Sequence, residues 1–159
     1  MHKYIRLYED YTKLDKKNSI SHHSWQEIRD IIQGKLPFII IDFKNKEDAK
    51  KCIDEEIFDE SHSKQMYFSK NEQGESVKFP SIFIFAEGSS DLKERSMDFH
   101  KRFDIERLII GEYGKNDPLL YIDGEAVDIG SNLYSSNNID DMAGGDFYRA
   151  GSIFYKFID

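Results

Sequence analysis

The sequence predicts an α/β (α+β) fold: a mixed β-sheet flanked by about three helices, with an antiparallel C-terminal part. Three observations lead there. Largely apolar stretches of strand length recur at 36–43, 81–86 and 105–110. Segments with helical spacing and cap residues lie between them. Short strand-like stretches separated by turn residues crowd the last third of the chain.

The elements follow in order. Residues 3–8 alternate as a first strand, and 10–21 form a polar, Lys-rich connection. Ser24-Trp25-Gln26-Glu27 has the Ser-x-x-Glu form of a capping box, in which two side chains satisfy two free amide groups. Trp25, Ile28, Ile31 and Ile32 then recur at helical spacing, and Gly34 is expected to end the helix. The run over 36–43 reads as a strand buried on both faces. Asn45 is placed to cap a helix over 46–58 that buries Ala49, Cys52, Ile53 and Ile57.

Residues 65–69 and 76–79 flank a polar stretch containing Gly74 and predict a hairpin. The run 81–86 is a second buried strand. Residues 88–91 break it and open a helix over 92–103. The stripe of that helix, Leu92, Arg95, Ser96, Phe99 and Phe103, is only partly apolar and places it at the surface. A strand over 105–113 is followed by short strands at 119–123 and 125–129, a loop over 130–145 and a last strand over 151–158. Pro37, Pro80 and Pro118 stand at or near the starts of apolar runs, where a missing N–H harms a sheet least. Helices between the early strands suggest parallel pairing there, and the later run of strands an antiparallel extension.

A chain of 159 residues fits a single globular domain over 1–159, able to bury a core without disulfide or metal. Aromatic residues make up 14%, too many large groups for a disordered chain. Cys52 is the only cysteine, so no internal disulfide forms, which fits a reducing compartment. The first residues carry charges and no apolar leader. The longest apolar run, Phe38-Ile39-Ile40-Ile41, falls far short of the roughly 20 residues that span a bilayer. A cytoplasmic protein without membrane contact is expected.

The search for chemistry returns little. Gly111-Glu112-Tyr113-Gly114-Lys115 has the wrong spacing for a phosphate loop, and Glu112 would repel phosphate. His22, His23 and Glu27 lack the further ligands a zinc site needs, and Asp140, Asp141 and Asp146 lack the alternating oxygens of a calcium loop. Cys52 falls on an apolar helix face, and no serine sits in a nucleophile elbow. No catalytic residue, metal or cofactor is assigned. The alternative is a small hydrolase whose site is assembled in space, with His62 or His100 beside a carboxylate.

Charge is the clearest functional signal. The net charge of −8 disfavours direct binding to nucleic acid or to anionic membrane and favours a basic partner. It is also unevenly spread. Residues 104–159 hold eleven acids and four bases, a balance of −7, while the preceding 103 residues balance at −1. Asp123, Glu125 and Asp128 lie near turns, and Asp140, Asp141 and Asp146 lie in or beside the long loop. Tyr134 and Tyr148 are interleaved with them. Carboxylates that steer encounter, beside aromatics that anchor, suit a protein partner. These eight residues are the candidate partner-binding set. A second acidic stretch, Asp54 to Glu60 at a helix C-terminus, opposes the helix dipole and competes for the role.

A short, acidic, cytoplasmic chain rich in Lys, Ile, Asn and Tyr and without catalytic motifs resembles the small bacterial toxin-immunity proteins, including those of contact-dependent inhibition systems. The resemblance is one of class and carries no motif or residue role with it. It implies a non-enzymatic inhibitor that blocks a cognate toxin domain, often a nuclease with a basic cleft.

Overall fold

The computed structural model describes residues 24–57, 60–86, 91–112, 114, 117–122, 125–143 and 145–158. The elements run α1 (Trp25–Gln33), β1 (Phe38–Phe43), α2 (Lys46–Glu56), β2 (His62–Lys70), β3 (Ser76–Phe85), α3 (Leu92–Arg102), β4 (Ile105–Gly111), β5 (Leu119–Ile122), β6 (Glu125–Asp128), β7 (Asn132–Ser136), a 3-10 turn (Ile139–Met142), β8 (Phe147–Ala150) and β9 (Ile153–Ile158). The strand expected over 3–8 lies outside the described residues. The fold is α+β.

All nine strands join one sheet in the order β6-β5-β4-β1-β3-β2-β8-β9-β7. Every described pairing is antiparallel, which corrects the expectation of a partly parallel sheet. The reason is topological. The α2 crossover joins β1 to β2, and these two strands do run the same way, but β3 is inserted between them. The α3 crossover likewise joins β3 to β4 with β1 between. The core order β4-β1-β3-β2 is that of a split β-α-β, ferredoxin-like unit. Two strands extend it on one side and three on the other.

The edge strands β6 and β7 are consecutive in the chain, joined by residues 129–131 alone. That link spans at most about 15 Å. Nine strands laid flat would hold their edges roughly 38 Å apart. The covalent link therefore demands a curled sheet, with a convex and a concave face.

Helices α2 and α3 cover one face. There Ala49, Cys52, Ile53, Leu92 and Phe99 pack on Ile39, Ile41, Ile82, Ile84, Leu108 and Ile110. Helix α1 lies on the other, the concave one, whose cluster draws in Leu120 of β5 and Leu133 of β7 from opposite ends of the sheet; there Ile28, Ile31 and Ile32 meet Phe38, Ile40, Phe83 and Ile109. Trp25 stacks on Tyr155 of β9 with centroids 4.6 Å apart, so α1 also ties down the β8–β9 side. With both faces covered, β1 is buried along its whole length, as its run of apolar residues predicts. Full burial of each α1 isoleucine stabilises the fold by about 1.5–3 kcal/mol.

Local signals act as expected. Ser24 Oγ accepts from the Glu27 amide at 3.2 Å, and Glu27 Oε1 accepts from the Ser24 amide at 3.1 Å. Asn45 caps α2 by accepting from the Asp48 amide at 2.8 Å. Two local details differ. The left-handed residue after α1 is Lys35, φ 55°, and Gly34 before it is right-handed. The amides of Lys35 and Leu36 reach back to the carbonyls of Ile32 and Ile31, the Schellman pattern, with lysine where glycine is the usual choice. The second detail is β3. It runs unbroken through Pro80, which lies just past the last pairing with β1, so the stretches expected at 76–79 and 81–86 merge into one strand, Ser76–Phe85.

Candidate functional site

Asp42 interrupts the apolar run of β1 and is fully buried on the concave face. A buried carboxylate without donors is costly, so its partners define the local structure. Ser81 on β3 donates to Oδ1 at 2.7 Å. Tyr148 on β8 and Arg107 Nε on β4 donate to Oδ2 at 2.7 and 2.9 Å. The network continues through Gln65, which donates to Ser81 Oγ at 3.2 Å and accepts from Tyr155 at 2.8 Å. Five strands, β1, β2, β3, β4 and β8, are thus stitched to one another and to β9 beneath the concave surface.

Arg107 is held from all sides. Its Nη2 donates to Tyr148 at 3.1 Å, its Nη1 lies 3.4 Å from Asp146, and its guanidinium lies 4.1 Å from the centroid of Tyr67. Asp146 also accepts from Ser69 at 3.0 Å. Desolvation disfavours the Arg107 cation, but Tyr148, Asp42 and Tyr67 outweigh it and hold its pKa above the ordinary arginine value. Burial raises the Asp42 carboxyl above its ordinary value, while Arg107, Tyr148 and Ser81 oppose the rise. Burial also pushes the Tyr148, Tyr155 and Tyr67 hydroxyls well up, so all three stay protonated.

Above this network the concave face opens into a cleft of about 340 Å³. Arg107 and Tyr148 form its polar floor. Leu120, Ile129, Phe157 and Ile158 supply apolar walls, and Lys156, Asp128 and Asp146 bring charge to it.

The candidate partner-binding residues divide. Glu125 and Asp128 are exposed on β6, Tyr134 on β7, and Asp140 and Asp141 on the 3-10 turn. Asp141 accepts from Ser136 at 2.5 Å, which pins the turn to β7. Asp146 is exposed but engaged with Ser69 and Arg107. Tyr148 is corrected: it is 1% exposed and belongs to the buried network, because β8 turns it inward. Asp123 lies outside the described residues. The loop expected over 130–145 is also corrected, since it contains β7 and the 3-10 turn. Its Leu133 and Tyr134 pair with Phe157 and Lys156 of β9.

Three acids of the competing stretch, Glu55, Glu56 and Glu60, are occupied. Arg95 of α3 pairs with Glu60, and Arg102 pairs with Glu56 and, at 3.8 Å, with Glu55. Arg95 Nη2 also donates to the Glu56 carbonyl at 3.4 Å. The acids at the end of α2 thereby join it to α3, which offsets their conflict with the helix dipole.

The remaining chemical candidates have structural settings. Cys52 is buried and its thiol is pushed up to about 12, which removes it as a nucleophile at neutral pH. His62 is buried with Nδ1 2.9 Å from the Glu60 carbonyl, and His100 is exposed on α3. Among the described residues no three His, Cys, Asp or Glu side chains are grouped to hold a metal ion. His22 and His23 lie outside them.

The network was missed in the sequence, yet one signal for it was present: an aspartate inside a strand predicted to be buried on both faces requires donors from neighbouring strands. Fold and site together define an α+β protein with a helix-covered, curled antiparallel sheet and a polar network under its concave face. Beyond that class, the chain matches no family model, no curated protein and no solved structure. Among the described residues no helix is long and apolar enough to cross a membrane.

Proposed function

We propose that the chain is an acidic, cytoplasmic binding protein that neutralises a basic partner, as an immunity protein blocks a cognate bacterial toxin domain such as a nuclease. One observation carries this reading. The exposed large hydrophobic side chains among the described residues, Ile122, Val127, Tyr134, Ile139 and Ile158, all fall in the third of the chain that carries the negative charge. They sit on β5, β6, β7, the 3-10 turn and β9, the strands at the two sheet edges and the turn that follows β7. Val127, 54% exposed, is flanked on β6 by exposed Glu125 and Asp128. Ile139 adjoins Asp140 and Asp141.

Apolar groups at a surface cost free energy unless a partner covers them, and carboxylates around them select a basic one. The same carboxylates repel nucleic acid, so inhibition works by covering the toxin and not by competing on its substrate. Glu55, Glu56 and Glu60 are set aside from this surface because Arg95 and Arg102 already pair with them.

The test is affinity capture from native lysate, identification of the captured protein, and expression of that protein with and without this chain. The expected result is a basic protein that arrests growth alone and is silenced by co-expression. Capture only of proteins whose expression is harmless would overturn the reading.

A further inference from the structure

We propose that the concave cleft is a binding site for a small zwitterion with an apolar body, the chemistry of a free apolar amino acid. The inference does not rest on the partner reading, although Asp128 and Ile158 belong to both surfaces. Its volume of about 340 Å³ lies in the range of small-molecule sites.

The lining divides into three chemistries, each matching one part of such a ligand. Leu120, Ile129, Phe157 and Ile158 form an apolar wall for the side chain. Arg107 and Lys156 supply the positive pole for a carboxylate. Arg107 is a rigid floor group with only 10% of its side chain exposed, oriented by Asp42, Tyr148 and the ring of Tyr67. Three of the five guanidinium donors are committed, and the longest contact, 3.4 Å to Asp146, is the one a ligand carboxylate replaces most readily. Asp146 keeps its bond to Ser69 when that happens. Lys156 makes no ion pair among the described residues, and its ammonium lies 5.9 Å from the centroid of the Tyr134 ring, so no carboxylate holds it away from a ligand.

Asp128 and Asp146 supply the negative pole, for an ammonium group. Their presence decides the ligand class. A plain anion meets repulsion from both carboxylates, and a plain cation meets Arg107 and Lys156. Only a molecule with both charges satisfies the cleft. Preorganisation favours binding, since Arg107 is already fixed in the free protein.

The test titrates isotope-labelled full-length protein, followed by NMR, with three probes of one shape: L-phenylalanine, 3-phenylpropionate and phenethylamine. The expected result is saturable binding of phenylalanine, with shifts at Leu120, Ile129 and Phe157, and binding of each singly charged probe weaker by about tenfold or more. Lys156→Gln and Asp128→Asn alter partly or fully exposed side chains. Each should weaken phenylalanine by roughly three- to tenfold and narrow its advantage over the probe lacking the matching charge. Equal or tighter binding of either singly charged probe would overturn the zwitterion assignment. Absence of saturable binding by all three, or phenylalanine binding unchanged in both variants, would overturn the site.

Discussion

The Tyr148 hydroxyl donates to the Asp42 carboxylate across 2.7 Å, joining strands whose residues are 106 positions apart in the chain. The bond is buried, and both groups also contact Arg107. Replacing Tyr148 by Phe keeps the ring stacked between Tyr67 and Tyr155 and removes only the hydroxyl. Urea denaturation should show a loss of about 1–3 kcal/mol, the cost of an under-donated buried carboxylate. Asp42→Ala should cost more, about 3–5 kcal/mol, because it takes from the Arg107 cation its buried carboxylate partner and leaves only the exposed Asp146 at 3.4 Å. Similar losses for an exposed control, Glu125→Gln, would remove the special role of the network.

Lys35 stands in the left-handed region at the end of α1, with φ 55°. A side chain there costs roughly 1–2 kcal/mol, and glycine avoids it at an entropic cost of about 0.5–1. Lys35→Gly should therefore stabilise the fold by about 0.5–1 kcal/mol. Its ion pair with Asp117 spans 3.9 Å between exposed groups and contributes little. A lowered denaturation midpoint would contradict this account.

Gly111 pairs with Phe38 across β1 and β4, and a Cβ on Gly111 would lie 2.2 Å from the Phe38 ring. That ring stacks on Phe83 in the core, 5.5 Å between centroids, and has little room to retreat. Gly111→Ala should cost about 1–3 kcal/mol by overpacking. Combining it with Phe38→Leu should recover part of the loss, which a double-mutant cycle measures.

Stability should fall in alkali. The unfolded Cys52 thiol ionises near 9.0, while the folded one holds its proton to about 12. Between those values the folded state binds the extra proton. The stability contributed by this group is therefore complete below pH 9 and lost as pH rises to about 12. Tyr67, Tyr148 and Tyr155, all raised from an ordinary value of 10.0, act in the same direction from that pH upward. Cys52→Ala should remove about 1.4 kcal/mol per pH unit from the slope between 9 and 12. An unchanged slope would refute the burial argument.

Once a partner is in hand, reversing Asp140 and Asp141 to Lys should slow association and flatten its dependence on salt. Replacing Val127 by Ser should act mainly on dissociation. Stopped-flow rates separate the two. Reversal of Glu55 and Glu56 should instead disturb packing of α2 on α3, visible as lost stability, because Arg102 depends on them.

The sequence by itself determined the local elements. Ser24 and Glu27 cap each other across three residues, Asn45 caps its own helix, and the isoleucines of 39–41 demand burial wherever the strand is placed. All three are short-range requirements written in consecutive residues. It also determined where the excess charge lies. Sheet order, the insertion of β3 between β1 and β2, and the inward turn of Tyr148 were decided only by the tertiary structure. They depend on pairings between distant strands, which periodicity does not encode. Strand β7 stayed hidden in 130–145 because its polar residues have one exposed face and are held mainly by the ladder to β9. The network followed the same rule. Asp42 announced a need for donors, but Arg107 and Tyr148 became its donors only when the sheet set β4 and β8 around it.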